Sequence, residues 1–294
     1  MSISAKIVAD SISKHGIRLT TMELNYPRFI HSEFMTHRMF SRNAASSRAI
    51  PIEKMLEQVQ QSPAMPVHWG KNQPGMQAKE EVENSRDAAL EWKRCAIDAV
   101  ESAEWLSQYN LHKQIVNRVL EPFQYIKVIV TATEWDNFFK LRLHEDAQPE
   151  MYELAKCMKE AMENSIPKEL GKSEWIVNNW HLPYVNVDKE ELGLEPDIAI
   201  KCSVARCARV SYLNHDNSTP NIEKDLLLAD KLLEAGHFSP FEHQATPISE
   251  VYKERWEFDI EWVDGITHID RDNNYWSGNF KSWLQYRQLL GKTL

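Results

Sequence analysis

Phe34-Met-Thr-His-Arg-Met-Phe-Ser-Arg-Asn-Ala-Ala-Ser-Ser-Arg-Ala-Ile-Pro51 sets three arginines, a histidine, three serines and an asparagine between apolar flanks. That is too polar for a core. Arg38, Arg42 and Arg48 each carry a planar fork of donors that suits phosphate or carboxylate, and Ser41, Ser46, Ser47 and nearby backbone N–H groups complete an anion cradle. The pattern alone leaves two readings open. One is an anion-binding loop; the other is a capped helix end whose arginines lie on acidic neighbours.

Around this stretch, Phe29, Ile30, Phe34 and Met39 recur at roughly helical spacing, which predicts a helix over residues 28–40 running out into a loop at 41–49. Upstream, Ile7-Val8-Ala9 and residues 17–25 alternate apolar and polar side chains as half-buried strands do, and Tyr26-Pro27 ends the second. Downstream, Pro51 opens a helix with Ile52, Met55, Leu56 and Val59 on one face. Residues 62–77, with Pro63, Pro66, Trp69, Gly70, Pro74 and Gly75, predict a structured loop. Helices over 80–106 and 112–120, a strand over 125–131 and helices over 134–143 and 150–164 follow, the last turning Met151, Leu154, Met158 and Met162 inward.

Residues 165–200 are rich in Pro and Gly and predict an irregular connector. Beyond it come a short arginine-bearing stretch at 204–212, an amphipathic helix over 221–235 capped by Asn221 and stopped by Gly236, and a polar-aromatic turn from His237 to His243. A strand over 251–263 and a helix over 279–290 are predicted to close the chain.

The 294 residues are 43% hydrophobic, 26% charged and 10% aromatic, enough for one large core or two modest ones. A net charge of −9 argues against broad binding to nucleic acid or membrane, so any phosphate site is local. Cys95, Cys157, Cys202 and Cys207 form no Cys-x-x-Cys pair and have no histidine at zinc-finger spacing, so reduced thiols and no metal are expected. His237 and His243 flank a turn without the carboxylates or thiols that would complete a metal set. No apolar run resembles a signal peptide or approaches the ~20 residues that span a bilayer. A soluble, cytoplasmic protein is expected.

Four separated segments together resemble one family. Thr36-His37-Arg38, followed by seven residues and Ser46, resembles the Arg-His-Arg-x7-Ser signature of the flavin-dependent thymidylate synthases, with Thr36 at the first Arg. Leu141-Arg142 with Ala147-Gln148-Pro149-Glu150 resembles their Leu-Arg-x4-Ala-Gln-x-Glu element. Residues 208–212 resemble Ala-Arg-Val-Ser-Tyr/Phe, and residues 236–243 resemble Gly-His-x-Ser/Thr-Pro-Phe-Glu-His. In the usual family order these last two precede the signature, whereas here they follow it, so the chain reads as circularly permuted. A permutation keeps every contact when the old termini lie close together. Halves 1–164 and 201–294 of a single catalytic domain would be joined by the connector 165–200, with 52–110 and 244–294 left as additions.

The resemblance implies an α/β (α+β type) fold with a mixed sheet and flanking long helices. It implies FAD as hydride carrier, dUMP as substrate, 5,10-methylenetetrahydrofolate as carbon donor, NADPH as reductant and a homotetramer. Thr36, His37, Arg38, Asn137, Ser239 and Glu242 would contact the flavin. Glu33, Ser46, Ser47 and Arg48 would hold the nucleotide, with Arg118 from a stretch resembling the family's Arg-x3-Pro. Arg142 would be catalytic, stabilising negative charge on the pyrimidine as N3 loses its proton, and a guanidinium fixed beside the ring suits that demand independently.

No cysteine lies near these motifs, so a thiol adding to C6 has no evident candidate. Thr36 removes a charge that Arg42 is placed to restore. Glu33 stands where some relatives have Gln, and Ala44 where many have Glu. These departures keep open a dCMP substrate, a hydroxymethyl product or a non-catalytic flavin- or nucleotide-binding homologue, while the acidic balance disfavours a nucleic-acid module. Without the resemblance, a minority reading takes Arg142 as an arginine salt-bridged to Glu145 or Asp146, and His37 can be read as a hydrogen-bonded helix-end histidine.

Overall fold

Strands β1 (Ser4–Ser13) and β2 (Arg18–Pro27) pair antiparallel. The turn between them closes at Gly16, whose φ of 75° is a left-handed conformation that a side chain would strain. The computed structural model describes residues 2–75, 78–171, 179–186, 196–210, 221–248 and 264–290. Strand β3 (Ser41–Ala44) and β2 lie on either side of β4 (Tyr125–Ala132), both antiparallel to it. Strand β5 (Lys168–Leu170) adds to β1 in parallel, giving a mixed five-stranded sheet of order β3-β4-β2-β1-β5.

Because side chains alternate across a strand, Met22, Leu24 and Tyr26 share a face with Ile126, Val128 and Val130. Helices α5 (Asp136–Arg142) and α6 (Pro149–Glu163) cover that face with Phe138, Phe139, Met151, Leu154 and Met158. On the opposite face Ile129 packs with Cys207 and Val210, near the end of α7 (Pro196–Ala208). Helix α8 (Ile222–Glu234) packs on α7, with the Asn221 side chain accepting a bond from Lys224 N and Gly236 at φ 70° beyond its end.

Between β3 and β4 run α2 (Ile52–Gln61), α3 (Ser85–Gln108) and α4 (Lys113–Val119), which share a cluster of Met55, Val59, Val100, Val116 and Leu120. The segment 52–110 is therefore a helical layer packed on the loop that follows β3.

Three expectations change. The 28–40 segment is not one helix: a 3-10 turn Arg28–Ile30 leads into the single turn α1 (His31–Phe34), and residues 41–44 form β3 rather than a loop. The apolar spacing read as a helix face instead plants Ile30, Phe34 and Phe40 into the sheet core. Most of residues 279–290 form strands, in which Phe280, paired with β8, and Trp283, paired with β6, bury together against Leu19 and Leu170. There β6 (Ala245–Pro247), β7 (His268–Ile269), β8 (Tyr275–Ser277), β9 (Phe280–Lys281) and β10 (Trp283–Gln285) make two small sheets, and only Tyr286–Leu289 is helical. The connector 165–200 is partly built, since it contributes β5, a bridge from His181 to Ala245 and the start of α7. The strand over 251–263 and the motif residues Ser211 and Tyr212 lie outside the described residues.

A polar seam crosses the covered sheet. Ser11 Oγ meets His181 Nδ1 at 2.8 Å, His181 Nε2 meets Thr21 Oγ1 at 2.7 Å, Thr21 meets Thr131 at 2.7 Å, and Thr131 meets His243 Nδ1 at 2.8 Å. Burial pushes both imidazoles from 6.5 down to about 3, so the fold keeps them neutral. The unfolded chain protonates them below about pH 6.5, binds more protons than the fold, and gains stability as pH falls. The urea midpoint should therefore drop steadily from pH 6.5 to 5, before most carboxylates titrate, by up to ~1.4 kcal/mol per pH unit for each of the two. A flat midpoint across that window would show the seam to be hydrated and titrating normally.

Candidate active site

Strand β3 is too short and polar to hold itself, and its side chains are fixed by distant parts of the chain. Asn43 Nδ2 donates to Cys207 O at 2.8 Å, and Asn43 Oδ1 accepts from Ser239 Oγ at 3.3 Å. Ser41 Oγ donates to Asn279 Oδ1 at 3.0 Å, and Gln285 Nε2 reaches both Ser41 Oγ and Glu242 O at 3.1 Å. The 3-10 turn Ser239–Glu242 and the C-terminal hairpin thus seat on β3. Asn279 and Gln285, from the segment left unplaced by the sequence, thus hydrogen-bond to β3.

Ahead of β3, the turn carrying Thr36-His37-Arg38 is braced from behind. Arg42 Nη1 donates to the carbonyls of Met35 at 2.7 Å and His37 at 3.2 Å, while Thr36 Oγ1 donates to Glu33 O at 2.7 Å. The His37 ring stands edge-on to Phe138 at 4.8 Å, and Arg142 Nε donates to its Nε2 at 2.9 Å across 105 residues of sequence. Burial, then the charges of Arg142 and Arg42, push His37 down to about 4. A neutral imidazole with Nε2 as acceptor results.

Arg142 is not salt-bridged to Glu145 or Asp146. Glu145 and Asp146 lie instead on Lys79, at 3.7 and 3.6 Å, and among the described residues no carboxylate pairs with Arg142. Arg142 therefore presents an uncompensated charge, oriented through Nε, at the end of α5. Close by, burial raises the Glu242 carboxyl, while Arg287, Arg42 and Ser41 act against that rise. Arg287 stacks its guanidinium on the Phe238 ring at 3.7 Å.

A second cluster lies past β3. Ser47 Oγ donates to Glu121 Oε1 at 2.8 Å, Arg28 Nη2 lies 3.2 Å from the same oxygen, and Arg118 Nη1 lies 3.4 Å from the carboxylate. Asn117 Nδ2 ties the loop down through Ser47 O at 2.7 Å and Ile50 O at 3.0 Å. Since Ser41 to Ser47 is a near-extended run, it separates the two clusters by at most roughly 20 Å.

The structure thus joins His37 to Arg142, Ser239 to β3, and Ser47 to Arg118 through Glu121. Glu33 is half-buried on α1 and Ser46 half-buried in the loop, while Arg38, Arg48 and Asn137 are exposed and no described hydrogen bond ties them to the rest. Arg28, Asn43, Glu121, Asn279, Gln285 and Arg287 escaped the sequence reading. Of these, Asn43 lies inside the polar stretch 34–51 and Glu121 inside the stretch from Asn117 to Pro122 that carries Arg118, so both had a signal available.

The residues around the Thr36 turn suit a flat, anionic ligand. Met35, Met39 and Leu141 are 40%, 41% and 52% exposed beside Arg38, Arg42 and Arg142, combining apolar surface with positive charge. No group of three or more metal-binding side chains occurs among the described residues, and none of their helices is long and apolar enough to cross a membrane.

The sequence model of the family described as thymidylate synthase complementing protein matches residues 17–168, more than half of the chain, including Thr36 through Arg48, Arg118 and Arg142. Among solved structures, the UMP/dUMP methylase PolB from Streptomyces cacaoi bound with 5-Br UMP is 17% identical with a TM-score of 0.47, covering 55% of this chain and 89% of that one. Flavin-dependent thymidylate synthase ThyX from Helicobacter pylori, complexed with FAD and dUMP, is 19% identical with a TM-score of 0.36, covering 49% and 67%. No curated protein matches the chain.

Proposed function

This chain belongs to the thymidylate synthase complementing protein family, and from that premise we propose that it methylates dUMP at C5 to give dTMP. Its carbon donor would be 5,10-methylenetetrahydrofolate, its hydride carrier FAD and its reductant NADPH. The observation that carries the reading is the Arg142–His37 contact at 2.9 Å, which lies inside the matched segment and leaves both terminal Nη groups of Arg142 without a hydrogen bond among the described residues.

Carbon C5 of uracil attacks a one-carbon electrophile only when the ring is electron-rich. His37 orients Arg142 by accepting its Nε–H, so the guanidinium fork meets the pyrimidine edge and stabilises the charge left when N3 gives up its proton. Cys207, which directly precedes the 208–212 motif, is a poor nucleophile, since it is buried and burial drives its thiol further from thiolate.

FAD, when bound and reduced by NADPH, would supply the hydride that completes the methyl group. For the chain's part, Met35, Met39 and Leu141 would receive the flat ring, Thr36, His37, Asn137, Ser239 and Glu242 would border it, and Arg38 would meet its phosphates. Arg42, bonded to the carbonyls on either side of Thr36, places a positive charge behind the turn where the signature's first arginine is missing. Ser46, Ser47, Arg48 and Arg118, with Glu33, would hold the nucleotide.

The circular permutation draws support from Ser239, 196 residues from Asn43 in sequence, seating on β3. A homotetramer is consistent with the exposed Leu90, Ile97, Trp105, Tyr109 and Ile115 of the α3–α4 layer.

Purified protein should be yellow with a flavin spectrum, and dUMP tritiated at C5 should release tritium when folate and NADPH are present. Release from the matching dCMP instead would move the substrate to cytosine. A colourless protein that takes up no FAD would end the reading.

A further inference from the structure

Glu121 occupies a seat built for an anion. Its carboxylate collects Ser47 Oγ at 2.8 Å, Arg28 at 3.2 Å and Arg118 at 3.4 Å. These donors come from three separate places: the loop after β3, the 3-10 turn after β2 and the end of α4. Ser47 is buried to 3% exposure and its carbonyl is fixed by Asn117, so the hydroxyl is held in place whether or not a ligand arrives. Arg118, by contrast, is 59% exposed at its side chain and Arg48 stands exposed next to Ser47. One wall of the seat is rigid and the other is free to turn toward solvent.

Ser47 and Arg118 are also the groups to which the nucleotide reading gives the phosphate, and this inference rests on that reading. A carboxylate and a phosphate cannot share one hydroxyl and one guanidinium at hydrogen-bond distance, because like charges so close disfavour each other strongly. We propose that Glu121 is a specificity-determining residue that stands in for the substrate's 5′-phosphate in the free protein and opposes its entry. On binding, the carboxylate gives up Ser47 and Arg118 to the phosphate and stays on Arg28, which remains beside it as a counter-charge. The residue thereby sets how strongly the site prefers a phosphorylated pyrimidine over the bare nucleoside.

Glu121→Gln keeps the acceptor for Ser47 and removes the charge. Calorimetric titration of the FAD-loaded protein with dUMP and with deoxyuridine separates the effects. The variant should bind dUMP about tenfold more tightly than the unaltered protein, with deoxyuridine affinity unchanged. Glu121→Ala, titrated the same way, should also tighten dUMP and spare deoxyuridine, which keeps the test if Glu121→Gln folds poorly. Equal changes for both ligands, no change, or weaker dUMP binding in Glu121→Gln would overturn the inference while leaving the nucleotide reading in place. If neither ligand binds the unaltered protein, the nucleotide reading fails and takes this inference with it.

Discussion

Arg142→Ala should cut tritium release from dUMP tritiated at C5 by a factor on the order of 10²–10³, with the flavin spectrum unchanged. The size follows from the charge's isolation. Arg142 has no carboxylate partner among the described residues, and its described hydrogen bond is to the neutral His37. Its positive charge is therefore available to a ligand, where a salt-bridged arginine would have spent it on a neighbour. Removing a group that acts on developing charge lowers kcat and kcat/KM together, whereas removing a ground-state contact raises KM alone. Stability should change by no more than about 1 kcal/mol, since the lost bond is half-buried and neutral at one end. Arg142→Lys should recover little, because an ammonium cannot donate to His37 and offer a planar fork at the same time. Full release by Arg142→Ala would remove the residue from the ring-activating role.

That isolation was not visible in the sequence. The motif resemblance picked out His37 and Arg142, but their contact depends on α5 lying over the Phe34–Phe40 side of the sheet, which only the folded chain fixes. Helices α6 and α8 were legible because each cycles between a buried and a solvated face, and β2 and β4 because their apolar alternation and β-branched run read as strand even though β4 is buried on both faces. Helix α7 was not, since the side chains from Ala199 through Ala208 are buried on nearly every side and leave no amphipathic stripe to read. Strand β3 carries Ser, Arg, Asn and Ala, poor strand formers whose conformation comes from pairing with β4 and from the hydrogen bonds of Asn43 and Ser41. At 279–290, Phe280, Trp283 and Leu284 sit three and four apart as on a helix, yet a hairpin with Gly278 at φ 60° and Ser282 at φ 59° buries them more fully.

Asp225→Ala should cost about 3–5 kcal/mol of folding stability, read from the urea midpoint. Asp225 is fully buried on α8 and accepts from Arg206 Nε at 2.9 Å and from Arg209 Nη1, while Arg206 Nη1 also donates to Tyr184 O at 2.9 Å. Truncation removes the carboxylate shared by two guanidinium groups that are 7% and 15% exposed, so much of what offsets their lost hydration goes with it. Replacing the three together, Arg206→Met with Arg209→Leu and Asp225→Leu, should restore most of the loss, because no charge is then left buried alone. A cost below about 1 kcal/mol for Asp225→Ala would mean that water reaches the cluster and screens it. The effect should also reach the site. Cys207, one residue after Arg206, accepts the Asn43 side chain through its carbonyl, so loosening this end of α7 releases an anchor of β3 and of the turn that carries Ser239. Asp225→Ala should therefore lose flavin along with stability, where Arg142→Ala loses turnover alone, and the triple replacement should recover both.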